Sequence, residues 1–359
     1  MEKFSEFITE AKDELYKLLI ISHDDPLDPN ETGPLVRKTA AEMGIDVYLA
    51  EFSGMYMEDK GNDQLVYSFP VNDKGQAQIP GMKDDAEYDK PFKINPNNTL
   101  IMARGLGSTV KTGNLSWRVA CINLENQGYT IINSIGCNDI CNDKWYNQII
   151  FQQNNIRTPN TVLVRHSEGA EEASDRLGNK FPMILKTAVG SRGVGVIWVE
   201  SLKSLHSIVQ LLYREDEFVD ILLQEYIKTD YDVRVIIAAG QILGAIKRPV
   251  VGDDFRSNVS QGSEPQSHEL TELEVEESLR AAKSVKGQIV GVDFIPSKNR
   301  NKESPYFIEV NSTPGLMGIE AALSKAVSKP LIKGQNLSLI HISEPTRRYA
   351  ISYAVFCLK

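Results

Sequence analysis

Cysteine and histidine are scarce in this 359-residue chain. Four cysteines (Cys121, Cys137, Cys141 and Cys357) and five histidines are present. The cysteine spacing fits neither a zinc site nor a disulfide framework, so the thiols are expected to be buried or idle in a reducing cytoplasm, and His-rich metal chemistry is disfavoured. Positive charge is also short: 39 Lys+Arg stand against 48 Asp+Glu, a formal net charge of -9. A field of that sign repels phosphate, which argues against non-specific binding to nucleic acid or an anionic membrane. No apolar run approaches the roughly 20 residues of a spanning helix. The opening text, MEKFSEFITEAKDELYKLLIIS, is acidic and amphipathic, unlike a signal peptide. What is present is an ordinary globular composition, 42% hydrophobic and 24% charged, with 25 Gly and 16 Pro. That excludes collagen-like and disordered chains and leaves room for two or three domains with a large core.

The end of the chain reads differently. Leu337 to Arg347, LSLIHISEPTR, back-translates in order onto a transposase sequencing adapter, and Ile351 to Leu358 resembles the distal end of one. Residues 337–359 are therefore expected to be foreign text and are set aside from fold and function.

Along the remainder, KLLIIS (17–22) is strand-like, PLVRKTAAEMG is an amphipathic helix closed by Gly44, and IDVYLAEF is a second strand. Strand, helix, strand at this spacing predicts a βαβ unit with a parallel sheet. Residues 61–96 read as loop, TLIMAR (99–104) as a buried strand, and WRVACINLENQGYTIINS as a helix followed by a strand. Residues 1–136 thus form an open α/β domain, and no G-x-G-x-x-G follows its first strand, so a substrate-side scaffold is favoured over a dinucleotide site. A second block, 137–205, opens with Asp143 capping the helix KWYNQIIFQQNN, continues into the strand of IRTPNTVLV, and places strands FPMILKTA and GVGVIWVE around the Gly-rich turn VGSRGVG. A helix capped by Ser201 or Ser204 follows. The third block, 206–336, holds DILLQEYI, a hairpin turning at AAGQ, a charged helix (269–286), and the apolar strands QIVGVDFIP and PYFIEVNSTPG; a mixed sheet with helices packed on it is expected.

Three oxygen-bearing residues mark the last two strands. Residues i and i+2 of a strand share a face, so Glu309 and Asn311 project together while Ile308 and Val310 face the core. If the hairpin register sets Asp293 across from Glu309, three hard oxygens with two negative charges converge, a set suited to Mg²⁺ (or Mn²⁺) with shared phosphate oxygens. The competing reading is a strand with polar residues facing water. Lys186 is the only charge in MILKTA, and a buried ammonium needs an anion beside it. The glycines that follow permit close backbone approach to phosphate, although the same text also suits a plain hairpin. Arg256, in KRPVVGDDFRSN, can neutralise charge on a transferring phosphoryl group, or can sit on a solvated loop. QEYI (224–227) can offer backbone groups to an adenine edge, or can be an edge strand.

Taken in order, NDKWYNQIIFQQNNIRTPNT, MILKTAVGSRGVGV, LLQEYIKTDYDVRVII, GDDFRSN, GVDF and FIEVNSTPGLMGIE resemble the ATP-grasp superfamily, and within it the RimK-type α-L-glutamate ligases. The resemblance spans about 137–325. It implies an α/β (α+β) architecture: a pre-ATP-grasp domain over 1–136, then a two-lobed ATP-grasp fold with a small lobe at 137–205 and a large lobe at 206–336. By the same resemblance, Lys144 and Lys186 contact ATP phosphates under a mobile loop (Gly190, Ser191, Gly193, Gly195). Gln224, Glu225, Tyr226 and Ile227 border the adenine, Asp232 holds the ribose, Arg256 and Asn258 face the reacting centre, and Asp293, Glu309 and Asn311 hold Mg²⁺. The implied reaction joins a carboxylate, activated as an acyl phosphate by ATP, to an amine, that of L-glutamate, on a protein C-terminus or small acceptor. A cytoplasmic homo-oligomer without membrane or nucleic-acid partner is implied. The text departs from the family after DFRSN, where VSQGSEPQ puts Gln261 in place of a basic residue, and at 57–96. Arg104, in MARG, resembles a substrate-side arginine. Two other readings remain: an ATP-grasp phosphotransferase, and a non-catalytic nucleotide-binding module, which the intact ligand set disfavours.

Overall fold

The computed structural model describes residues 17–22, 32–42, 44–51, 55–60, 63–67, 91–104, 115–189, 195–250 and 266–316. Gly190, Ser191, Gly193, Arg256, Asn258, Gln261, Cys357 and the adapter-like tail lie outside them. The chain divides into two compact units, one built from residues up to Asn138 with a return segment at Thr313, the other from Asp139–Ser312 and a later stretch. Among the described residues no helix is long and apolar enough to cross a membrane.

In the first unit, β1 (Lys17–Ser22), helix α1 (Thr32–Glu42) and β2 (Asp46–Glu51) make the expected βαβ step. Helix α1 ends where Gly44 takes a φ of 75°, a conformation glycine adopts without a Cβ clash. The strands β3 (Tyr56–Lys60), β4 (Asp63–Tyr67) and β5 (Phe92–Ile94) form a separate antiparallel sheet, so part of the region read as loop is paired strand. The alternation there is short and carries several charges, which hid it. Strand β6 (Thr99–Ala103), helix α2 (Leu115–Asn126) and β7 (Thr130–Ile132) complete the unit. The main sheet has the order β2-β1-β6-β7 and is parallel throughout. Its two central strands are buried almost end to end, the continuous apolar pattern of a parallel sheet. Cys121 is buried in this core, and burial, seconded by Glu125, pushes its thiol up to about 12, leaving it unreactive.

Helix α3 (Ile135–Asn142), not anticipated from the sequence, leads into α4 (Lys144–Gln153). Asp143 caps α4, accepting from the Trp145 and Tyr146 amides. The second unit then holds β8 (Thr161–Val164), α5 (Gly169–Arg176), β9 (Met183–Thr187), β10 (Val196–Val199), α6 (Leu202–Glu215) and β11 (Ile221–Glu225). These strands make one antiparallel sheet ordered β10-β9-β11-β8. This sheet therefore draws on residues beyond 205. Met183, Leu185, Ile221 and Leu223 pack with Ala170, Ala173, Leu205 and Val209 of the helices, so Ile184, Lys186, Leu222 and Gln224 face the other way.

Strands β12 (Tyr231–Ala238), β13 (Gln241–Pro249), β14 (Gln266–Ser267), helix α7 (Glu272–Ser284), β15 (Ile289–Ile295) and β16 (Tyr306–Asn311) follow. The sheet order is β14-β13-β12-β15-β16, and every pair is antiparallel where a mixed sheet was expected. The turn at AAGQ is a tight hairpin with positive φ at Ala239 and Gly240, as a two-residue type I′ turn requires. Helix α7 packs on β12, β13, β15 and β16. Phe151 of α4 meets Phe307 of β16 edge-on at 6.1 Å, and Phe307 meets Phe294 at 5.6 Å.

Candidate nucleotide and metal site

The site is built on the sheet faces turned away from these helices. In the last hairpin Asp293 pairs with Glu309 and Gly291 with Asn311. A bulge between Asp293 and Phe294 makes Ile308 the extra residue, so Phe307 and Val310 are buried while Ile308 is only half-buried. This corrects the expectation that Ile308 faces the core: the bulge hands its place to Phe307. Glu309 and Asn311 keep a shared face, and the Asn311 Nδ2 donates to Glu309 Oε1 at 3.1 Å. With its nitrogen so engaged, the Asn311 Oδ1 is the oxygen presented as an acceptor.

Two lysines come to the same place from other elements. Lys186 projects from β9 and donates to Gln224 Oε1 at 2.8 Å; Gln224 in turn donates to Thr161 Oγ1 at 2.8 Å. Lys144 opens α4, and its amide donates to Ala188 at the end of β9. Burial lowers the Lys186 ammonium to about 8, although Glu309 opposes the shift and Lys144 reinforces it. Burial likewise lowers Lys144, opposed by Glu309 and Asp143. Each lysine thus feels Glu309, and Lys186 feels Lys144. Glu309 of β16, Lys186 of β9 and Lys144 at the start of α4 thus lie close enough to interact electrostatically, with Asp143 also acting on Lys144.

Asp293 has other company. Arg234 grips it with Nε to Oδ1 at 2.7 Å and Nη2 to Oδ2 at 2.6 Å, and Arg248 adds Nη2 to Oδ2 at 3.0 Å. Burial raises this carboxyl, but the two guanidiniums overcome that and hold it below the usual range. Three of about four acceptor positions are filled, so a cation would meet Asp293 through one remaining lone pair or by displacing a donor. Asp232, two residues before Arg234, is bound bidentately by Arg248 at 2.6 Å through both oxygens. Sequence reading missed both arginines.

The residues expected beside an adenine, Gln224 to Ile227, lie at the end of β11 and just past it. Glu225 exchanges hydrogen bonds with Asn160, its amide donating to the Asn160 carbonyl and its Oε1 accepting from the Asn160 amide. Tyr226 stands edge-on to Trp198 at 4.7 Å, and Ile227 follows half-buried. Gly195, at the base of the Gly-rich loop, has a φ of 80°, and a Cβ there would lie 2.5 Å from Thr187 Oγ1. Arg104 belongs to the first unit, where its Nη1 donates to the Pro314 carbonyl at 3.4 Å.

Two carboxylates and an amide oxygen fit Mg²⁺ or Mn²⁺ in hardness and charge. Glu309 and Asn311 fit directly, and Asp293 fits through its remaining acceptor position. Among the described residues no group of three His, Cys, Asp or Glu offers a rival metal site.

Comparison with known proteins gives the family and the fold. Residues 141–334 match the RimK-like ATP-grasp domain. A probable alpha-L-glutamate ligase of Rhodopirellula baltica is 32% identical over 192 residues, 53% of this chain and 46% of that protein; the chain matches about half the length of that relative. The macrocyclase MdnC of Microcystis aeruginosa, solved with the precursor peptide MdnA, superposes with a TM-score of 0.60 at 14% identity over 95% of this chain and 99% of that one. The ATP-grasp ligase PsnB, solved with a precursor variant, Mg and ADP, gives 0.57 at 16% identity over 85% and 93%. At these identities the likeness shows the fold.

Proposed function

The chain belongs to the RimK-like ATP-grasp family, and from that premise we propose that it is an ATP-dependent carboxylate–amine ligase that adds L-glutamate to a protein C-terminus or a small carboxylate. The observation that carries the reading is that the start of α4, with Lys144, is hydrogen-bonded to the chain just past β9, which carries Lys186, and that both lysines feel Glu309.

In this reading the lysines hold phosphate oxygens of ATP, and the adenine lies along Gln224 to Ile227. Asp232 accepts from the ribose hydroxyls. Asp293, Glu309 and Asn311 would hold Mg²⁺, which would supply positive charge to offset that of the phosphates. A substrate carboxylate oxygen attacks the γ-phosphorus, the bond to the β-phosphate oxygen breaks, and ADP leaves. The amine then attacks the acyl carbon; the carbon–oxygen bond to phosphate breaks and the nitrogen loses a proton. Arg256 and Asn258 are assigned to the reacting centre, with Arg256 countering charge on the transferring phosphoryl group. The residues do little covalent work: they position the reactants and offset charge.

The test is ADP release with L-glutamate and a panel of carboxylate acceptors, mass spectrometry of products, and a parallel run with hydroxylamine. A ligase forms an amide adduct and yields a hydroxamate when hydroxylamine replaces the amine. A stable phosphorylated product without hydroxamate would replace this reading with phosphotransfer.

A further inference from the structure

Arg248 is buried, 3% exposed, and its side chain touches two carboxylates to which the proposed function gives different ligands. Its Nε and Nη2 bind Asp232, and the same Nη2 binds Asp293. An Nη2 group carries two hydrogens, so each carboxylate receives one of them. One orientation of the guanidinium plane therefore fixes both. Arg234 is not its equal: its hydrogen bonds here go to Asp293. Two guanidiniums and two carboxylates leave the group neutral, as burial demands. Arg234 alone would already match the charge of Asp293, and Asp232 is partly exposed. What Arg248 adds, at the cost of its own desolvation, is the link between them.

We propose that Arg248 is a positioning residue that couples the nucleotide-side carboxylate Asp232 to the metal-side carboxylate Asp293, so that nucleotide affinity and metal affinity depend on one buried side chain. The inference rests on the reading of Asp232 and Asp293 given above. It makes the two arginines distinguishable. Loss of Arg248 removes two hydrogen bonds from Asp232 and one of the three on Asp293; loss of Arg234 removes the other two on Asp293 and leaves the Arg248–Asp232 pair in place. Lysine cannot rescue Arg248, because a point charge on a flexible stem cannot reproduce a planar fork.

Two ligands are titrated separately on the full chain: ADP in EDTA by calorimetry, and Mn²⁺ by the paramagnetic resonance of the free ion. Arg248→Lys weakens both by about tenfold, whereas Arg234→Lys weakens Mn²⁺ by a similar factor and leaves metal-free ADP within about twofold. Circular dichroism and the thermal midpoint report folding. Should Arg248→Lys fail to fold, Asp232→Asn carries the test: Mn²⁺ affinity shifts at least about threefold although Asp232 is no metal ligand. An Arg248 variant that loses one ligand only, or an Asp232→Asn protein with unchanged Mn²⁺ affinity, overturns the coupling. A wild-type chain that binds neither ADP nor Mn²⁺ overturns instead the site assignment beneath it.

Discussion

At Lys186 burial and counter-charge oppose each other, and burial prevails, leaving the ammonium near 8. The sign follows directly. A lysine lowered in the folded state is more costly to keep protonated there, so this group's contribution to stability improves as pH rises from about 8 toward the ordinary lysine range. A phosphate placed beside it reverses the preference. Nucleotide binding above pH 8 should therefore take up a proton, and ADP affinity should fall as pH climbs from 8 toward 10. Calorimetry in buffers of different ionisation enthalpy checks this; in Lys186→Met the uptake disappears and affinity drops by roughly 10–100-fold, the worth of one charge-assisted hydrogen bond. Glu309→Gln removes the carboxylate that both lysines share. ATP turnover should fall at least about a hundredfold with the thermal midpoint nearly unchanged, and Lys186 should titrate below its wild-type value. Lys186 could be read from the sequence because a lone charge in an apolar strand needs a partner. Its hydrogen bond to Gln224 could not, since that pairing is set by the order of strands in the sheet.

Among the elements, two bulges decide who meets whom. Counted outward from the turn at Ala239–Gly240, an unbroken hairpin would put Lys247 opposite Asp232. The irregularity at Ile236/Ile237 shifts the register by one, and Arg248 takes that place. The sequence reading set no register for β12, and so missed Arg234 opposite Asp293 as well as Arg248 opposite Asp232. The second bulge displaced Ile308 in the same manner. Local signals fared better: the caps at Asp143 and Ser201 were legible because a capping side chain needs only its own next turn. Helix α7 shows how far such a signal can extend. Thr271 and Glu274 form a capping box, and Glu274 also binds Arg300. Desolvation raises the Glu274 carboxyl, yet the hydrogen bonds from Arg300, His268 and the Thr271 amide overcome it and bring it to about 2. Its stabilising effect is present above about pH 4.5 and lost as pH falls toward 2. Glu274→Gln should cost on the order of 3 kcal/mol at neutral pH and flatten that acid limb in urea titrations. At β9–β10, Gly195→Ala meets both a positive φ and Thr187 Oγ1; a loss of about 1–2 kcal/mol, read from the same titrations, should come with weaker ADP binding.

For the molecule as a whole, the parallel sheet of the first unit was visible in outline from apolar periodicity, and the second unit's strands were largely visible, but not that its last sheet is antiparallel throughout. The pairing of β3, β4 and β5 was not, because long-range partners of short, charged strands leave no local mark. In the proposed function, elements far apart in the chain, α4, β9 and β16, gather two ammonium groups and a set of oxygens around a single Mg-triphosphate. The most direct test is the anomalous diffraction of Mn²⁺ in crystals grown with Mn²⁺ and a non-hydrolysable ATP analogue. The account predicts a manganese peak bonded to Glu309 and Asn311, with phosphate oxygens on Lys144 and Lys186. A manganese peak elsewhere, or a triphosphate bound away from the two lysines, would contradict it.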